Sequence, residues 1–461
     1  LVIGHWSLVS GHWSLVIGHQ TSLAIGRKAT VSNPVRSFPT ALAADMSGNI
    51  REVPGVAAAG RHGMQVRPLD SADLIPLPRG SELFLLPGRT GIGFQKDGQP
   101  VRIGAGSAVA AFLPPGYTAC ALAAYDTRVR APALPLNCYC AVCWHHGRFQ
   151  APAIRVDDDP KHNPCNFDRA GVERRVRRKL REHPRNRLLA HHGLVCALRY
   201  ACPNAANLFL NRWEAPVAVA GGCNASCAGC ISRQTGSGIR SPQERVGFVP
   251  TVREIVELAV PHMENAARAM VSFGQGCEGE PLLRRELIVR AIRAIRAETG
   301  RGTIHINTNG SRPSAVIKLI EAGLDSIRIS LNSARPDLYA AYYRPRGYAF
   351  EDVVRTFAIA RAAGLWVSAN YLTFPGVTDD PSECAAFERL LAETRPDMIQ
   401  WRNLNIDPDV YMSLVRRAAP ARRSGPIGIR ALMDRIHGEY PGVRFGYFNP
   451  PADARRFRRR R

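Results

Sequence analysis

The sequence predicts an α/β fold, a partial (β/α) barrel of the TIM type preceded by a smaller β-containing domain. Three observations predict it. After Trp213, short apolar runs of strand length alternate with segments of helical period, as strand–helix units on a parallel sheet require. Before Trp213 the chain is rich in Pro and Gly, with short apolar runs at 83–86 and 109–113 that read as β structure. A cysteine loop at 223–230, a Gly-rich loop at 274–281 and the run Asn307–Gly310 each follow an expected strand. The C-terminal ends of barrel strands are where chemistry collects.

Taken in order, residues 1–21 repeat with a period of seven (LVIGHWS, LVSGHWS, LVIGHQT). A glycine in every repeat weakens a helix by about 1 kcal/mol, so no coiled coil is expected. The first methionine is Met46. Residues 1–45 read as a disordered or non-native leader, translated from repetitive upstream DNA, with the native start at Met46. N-terminal mass spectrometry of the protein from its own host decides this. Residues 46–210 form the N-terminal domain and close in a basic helical stretch near 172–187. In the core, residues 211–405, the run 217–220 is expected as a strand ending at the cysteine loop. A helix over 251–262 starts at a Thr251 cap. Strands follow at 269–273, 303–307, 326–331, 367–372 and 398–404. Helices lie between them: one marked by Leu283, Leu287, Ile288, Ile292 and Ile295, then 314–322, 350–363 and 382–393. A C-terminal extension, 406–461, holds a helix at 427–437, a strand at 443–448 and a solvated basic tail, 455–461.

With 461 residues and 45% hydrophobic content, the chain can bury two cores. It has no run of eighteen apolar residues, so no membrane span is expected. The formal charge is +23, yet only five of the basic residues are lysines. GC-rich coding produces that arginine skew; the competing reading is an anionic partner such as a nucleic acid. A basic face also suits an acidic electron carrier. The twelve cysteines are spread unevenly and follow no secretory signal, which points to metal binding in a reducing, cytoplasmic setting.

Cys223, Cys227 and Cys230 place three soft ligands on one loop, which suits an iron–sulfur cluster or zinc. Structural zinc wants a fourth ligand, and none follows at finger spacing. A cubane with three thiolates leaves one iron open for a reactive ligand. Cys138, Cys140, Cys143 and Cys165 are candidates for a second cluster or zinc, and Cys196 and Cys202 for an auxiliary cluster. Packed thiols are the competing reading for these, as for Cys120, Cys277 and Cys384. The pairs His145–His146 and His191–His192 read as surface or loop histidines.

The loop Cys223-x3-Cys227-x2-Cys230 resembles that of the radical S-adenosylmethionine (SAM) superfamily. So do Glu278-Gly279-Glu280-Pro281, Asn307-Thr308-Asn309-Gly310 and the strand Ile327-Arg328-Ile329-Ser330-Leu331, over roughly residues 213–404. The core motifs are similar to those of the molybdenum-cofactor biosynthesis protein A-like group. No cysteine follows Cys384, so that group's C-terminal cluster is not expected.

The resemblance implies one 4Fe-4S cluster on Cys223, Cys227 and Cys230, whose open iron is chelated by SAM. It implies that Gly279, Glu280 and Pro281 hold the methionine amine, with Glu278 in place of the motif's first glycine. Thr308, Asn309 and Ser330 would lie near the ribose and carboxylate, with Asn370 on the fifth strand. Reductive cleavage would give a 5′-deoxyadenosyl radical, which abstracts hydrogen from a substrate left unassigned; modification of a peptide or protein and modification of an RNA are the alternatives. The electron would come from a low-potential donor of the flavodoxin or ferredoxin type. Gly229 stands where the family has an aromatic residue, so adenine must find other packing. The alternative outside this family is a non-catalytic, zinc-binding, basic nucleic-acid-binding protein.

Overall fold

The computed structural model describes residues 6–9, 12–16, 38–104, 106–234, 238–420 and 425–451. Its centre is a sheet of seven strands in chain order, every neighbouring pair parallel. These are β1 (Arg212–Pro216), β2 (Ala267–Phe273), β3 (Thr303–Thr308), β4 (Ser326–Leu331), β5 (Trp366–Thr373), β6 (Met398–Asn403) and β7 (Arg444–Gly446). Parallel neighbours cannot be joined by tight turns, so each connection carries a crossover helix. In order these are α1 (Val252–Asn265), α2 (Arg285–Glu298), α3 (Pro313–Ala322), α4 (Pro336–Tyr343) and α5 (Phe350–Ala362), then α6 (Pro381–Thr394), α7 (Pro408–Ala418) and α8 (Ile429–Glu439). The result is a half-barrel of the TIM type, as the sequence predicts.

Strand periodicity divides the two faces of the sheet. Side chains alternate along a strand, so residues two apart share a face. Ile304, Ile306, Ile327, Ile329, Val367 and Ile399 are fully buried beneath the helices. Tyr371 stacks on Phe387 of α6 with ring centroids 3.9 Å apart. The intervening positions are polar and line the concave side: His305 and Asn307, Arg328 and Ser330, Asn370, Gln400 and Arg402. Barrel interiors are ordinarily filled with branched apolar residues. This one is built for polar contents.

The N-terminal domain is antiparallel. Its long strand Ile50–His62 pairs with Thr40–Ala44, Gln65–Pro68 and Arg89–Phe94. Ala108–Phe112 pairs with Glu82–Leu86, and Arg148–Arg155 with Tyr117–Ala119 and Cys143–His145. Thr40–Ala44 lies before the boundary expected at residue 45, so the domain takes in part of that leader. Trp6–Val9 and His12–Val16 form a hairpin beside Glu82–Leu86. The rest of the heptad repeat and the basic tail 455–461 lie outside the described residues.

Three further expectations shift. The apolar run 217–220 is not a ladder strand; β1 lies just upstream, and Val217 adds one bond to Ser272 O at 2.9 Å. The basic helix runs from Arg169 to Glu182 and stops where Pro184 follows. A short helix (Arg187–Ala190) and a π-helix (His191–Arg199) come next. The expected division at 405 falls inside the half-barrel, because β7 pairs with Met398–Gln400.

β7 is short and leaves the outer edge of β6 beyond Gln400 without a strand partner. The N-terminal domain covers that edge. Thr118 Oγ1 donates to Trp401 O at 2.6 Å, and Asn403 bridges Ala119 N and Tyr117 O, both at 2.9 Å. No helix among the described residues is long and apolar enough to cross a membrane.

Candidate active site

The site assembles where β1 to β5 end. Cys223, Cys227 and Cys230 occupy the loop that leaves β1, and each is partly exposed. Burial raises the Cys227 thiol well above its ordinary value, and the nearby Cys230 and Cys223 sulfurs push it the same way. Burial and then the Glu280 carboxylate raise Cys223. For Cys230 burial also acts upward, but hydrogen bonds from Ser232 and Arg245 outweigh it and lower the thiol. Arg245 Nη2 lies 3.4 Å from that sulfur and its Nε donates to Ser232 Oγ at 3.0 Å. Cys230 is thus the sulfur best prepared as a thiolate.

The Gly-rich loop packs directly on the entry to the cysteine loop. Glu280 N donates to Gly222 O at 3.0 Å. A Cβ on Gly279 would sit 1.9 Å from that same carbonyl, so only glycine allows the two loops to touch. Glu280 is 3% exposed and bridges three segments. Its carboxylate accepts from Thr308 Oγ1 at 2.5 Å, Asn309 N at 2.9 Å and Leu282 N at 3.0 Å. Burial raises its pKa to about 7 against those donors. Three bonds leave one acceptor site of the four on a carboxylate. Pro281, buried, opens the 3-10 turn that Glu280 caps.

Glu278, which stands in place of the motif's first glycine, spends its carboxylate on backbone amides. It accepts from Val219 N at 2.8 Å, Ala220 N at 3.0 Å, Gly274 N at 2.6 Å and Gln275 N at 3.0 Å. Four amide bonds saturate a carboxylate. Glu278 therefore staples the exit of β1 to the exit of β2 and has no site left for a ligand.

Asn309 joins the third strand end to the cysteine loop, donating from Nδ2 to Asn224 Oδ1 at 3.0 Å; Asn224 in turn donates to Ser311 Oγ at 2.9 Å. Arg346 donates to Cys223 O at 2.8 Å. On β4 and β5, Ser330 and Asn370 are register partners, and Asn370 Nδ2 donates to Ser330 Oγ at 2.9 Å. Asn370 Oδ1 is buried with no partner, a polar vacancy that a ligand can fill.

Gly229 has a structural counterpart in Tyr342 on α4. A Cβ at Gly229 would lie 2.7 Å from the Tyr342 hydroxyl, so an aromatic ring occupies the space a side chain there would take. Ser226 N and Ala228 N donate to Tyr343 O and Tyr342 O, both at 2.9 Å, and these bonds seat the cysteine loop on α4.

Below the loops the concave side holds groups the sequence reading missed: Glu214, Ser272, His305, Arg328, Gln400 and Arg402. Glu214 accepts from Ser272 Oγ at 2.6 Å and Asn449 Nδ2 at 2.9 Å. Burial works to raise Glu214, but His305, Lys161, the Ser272 hydroxyl and Arg328 together bring it down to about 2. Arg328 is lowered to about 9, by burial and then by the charge of Arg402. The signal was present: in Ile-His-Ile-Asn and Ile-Arg-Ile-Ser, polar residues interrupt strands at every second position.

The other cysteines separate. Cys138, Cys140 and Cys143 are buried in the N-terminal domain, where Cys140 and Cys143 make weak bonds to Pro152 O and Gln150 O, while Cys165 is exposed. Among the described residues they do not gather as a single-ion group within 4.8 Å.

Residues 217–387 match the family model described as the Radical SAM superfamily. A GTP 3′,8-cyclase of Lactiplantibacillus plantarum is 33% identical over 165 residues, 34% of this chain and 45% of that protein. A GTP 3′,8-cyclase of Streptomyces coelicolor is 30% identical over 183 residues, 39% of this chain and 46% of that protein. The chain thus spans about half the length of the curated relatives it matches. Among solved structures, Streptococcus suis SuiB bound to S-adenosylmethionine aligns at 14% identity and TM-score 0.36, over 55% of each chain. Methylornithine synthase aligns at 16% identity and TM-score 0.32, over 61% of this chain and 78% of that one.

Proposed function

Because the chain belongs to the radical SAM superfamily, we propose that it reductively cleaves SAM and abstracts hydrogen from a substrate held on the polar concave side of the half-barrel. The single observation that carries this reading is the convergence of the three-thiol loop, the Glu280 loop and the end of β3 through direct hydrogen bonds.

When bound, a 4Fe-4S cluster and SAM supply one-electron cleavage to methionine and a 5′-deoxyadenosyl radical. Cys223, Cys227 and Cys230 would hold the cluster, and the donor set fits. All three are soft ligands on one loop, and among the described residues they do not gather as a single-ion group within 4.8 Å. The remaining acceptor site of Glu280 suits an ammonium, where a charge-assisted bond is about twice as strong as a neutral one. Asn370 Oδ1 suits a hydroxyl or ammonium donor, and Tyr342 gives adenine the aromatic neighbour that Gly229 lacks. Arg328 and Arg402 favour a substrate bearing an anionic group, as an acidic peptide or an RNA does. The basic chain suits an acidic, low-potential carrier of the flavodoxin or ferredoxin type as its electron donor.

The experiment is anaerobic reduction with dithionite in the presence of SAM, followed by chromatography. Formation of 5′-deoxyadenosine is expected, with none from the Cys223→Ala/Cys227→Ala/Cys230→Ala variant. Equal product from that variant would overturn the reading.

A further inference from the structure

Among the described residues, a set of soft ligands converges outside the three-thiol loop. His191, Cys196 and Cys277 present ligand atoms that all lie within 4.8 Å of one another. They come from two distant stretches, the π-helix His191–Arg199 and the Gly-rich loop beside Glu278. The π winding is what aligns the first two. In an α-helix, residues five apart point about 140° away from each other at 3.6 residues per turn. The i→i+5 bonding of a π-helix brings such a pair toward one face, and π segments recur at functional sites. Cys196 and Cys277 are 2% and 5% exposed. His191 Nε2 is buried with no hydrogen-bond partner. The His191 ring and the Cys196 thiol both lie in hydrogen-bond contact with the Cys277 thiol, so three soft ligands gather around one point.

We propose that His191, Cys196 and Cys277 bind one zinc ion that ties the helical linker to the loop carrying Glu278 and Glu280. Zinc is bound at about 2.0–2.3 Å by imidazole and thiolate, so its ligand atoms lie close together, as these do. A cubane would spread them further. Structural zinc is four-coordinate. Three protein ligands make up the group, and Cys202, whose amide donates to Cys196 O at 2.9 Å, is the next thiol along the chain. The ion would fix Cys277, whose carbonyl accepts from Val246 N at 2.8 Å, and so brace the Gly-rich loop from behind.

The test uses the full chain with Cys223→Ala/Cys227→Ala/Cys230→Ala, which removes the competing iron site. After exposure to zinc and gel filtration, one equivalent is expected to remain by elemental analysis. Cobalt in its place should give a thiolate charge-transfer band. Adding Cys277→Ser should lower retained zinc at least ten-fold and weaken the band. No retained zinc, or iron with sulfide at these thiols in its place, overturns the proposal. If Cys277→Ser fails to fold, alkylation of the triple variant decides. Zinc should slow labelling of Cys196 and Cys277 at least ten-fold and leave the exposed Cys165 unchanged. Equal labelling rates with and without zinc overturn it.

Discussion

Glu278 and Glu280 stand two residues apart, both buried, yet their chemistry divides sharply. Glu278 spends its whole acceptor capacity on four backbone amides. Replacing it by Ala orphans two buried and two part-buried donors, each buried one costing about 1–3 kcal/mol. Urea unfolding of Glu278→Ala should therefore show a loss of at least about 3 kcal/mol, and Glu278→Gln a smaller one. Glu280 keeps one acceptor site, and its role is in binding. Glu280→Gln should leave the fold intact and weaken SAM binding by roughly ten-fold or more, the worth of one hydrogen bond to a charged group. Equilibrium dialysis measures that directly. From the sequence Glu278 is only a replacement for the motif's first glycine, and nothing local shows what its carboxylate does. Only the placement of Val219, Ala220, Gly274 and Gln275 separates the two carboxylates, and that depends on how two strand ends meet in space.

At the scale of elements, what was legible follows from local periodicity. β4 runs from Ser326 to Leu331, as Ile-Arg-Ile-Ser-Leu predicts, because alternation and flanking turns specify both face and length. α1 begins at Thr251 with a full capping box: Glu254 N donates to Thr251 Oγ1 at 3.2 Å and Thr251 N to Glu254 at 2.8 Å. β1 was misplaced because the apolar run 217–220 is buried as irregular chain, its amides taken by Ser272, His192 and Glu278. α4 was missed because its tyrosines give no clear period, and it carries Tyr342. The π-helix has no sequence signature at all.

Glu254 also pairs with Arg187 at 2.8 Å, although that arginine is half exposed. The Arg187 hydrogen bond, followed by those from Thr251, outweighs burial and lowers Glu254 to about 2. Its folded value lies below the unfolded one, so the stabilisation is present above pH about 4.5 and is lost as pH falls toward 2. Thr251→Ala should cost about 1 kcal/mol. Glu254→Gln should flatten the fall in Tm across that acid window, as calorimetry at stepped pH would show.

Across the whole molecule, the N-terminal domain is a structural partner of the half-barrel rather than a separate unit. Arg89 and Asp407 form an ion pair at 3.0 Å with side chains 2% and 1% exposed, and Asp407 also accepts from Leu134 N at 2.7 Å. Arg61 pairs with Asp409 at 2.7 Å, and Thr127 Oγ1 donates to the same carboxylate at 2.6 Å. Removing one partner of a buried pair leaves an uncompensated charge, which costs about 3–5 kcal/mol. Asp407→Ala should lower Tm and expose the segment between residues 106 and 134 to limited proteolysis. These contacts join residues hundreds of positions apart, which no local pattern could reveal.

The reading as a whole rests on an iron that SAM can reach. Electron paramagnetic resonance of the anaerobically reconstituted, reduced chain tests it most directly. Added SAM should shift the signal of the reduced cluster, and that shift should be absent in Cys227→Ala. A reduced cluster whose spectrum is the same with and without SAM would contradict the account.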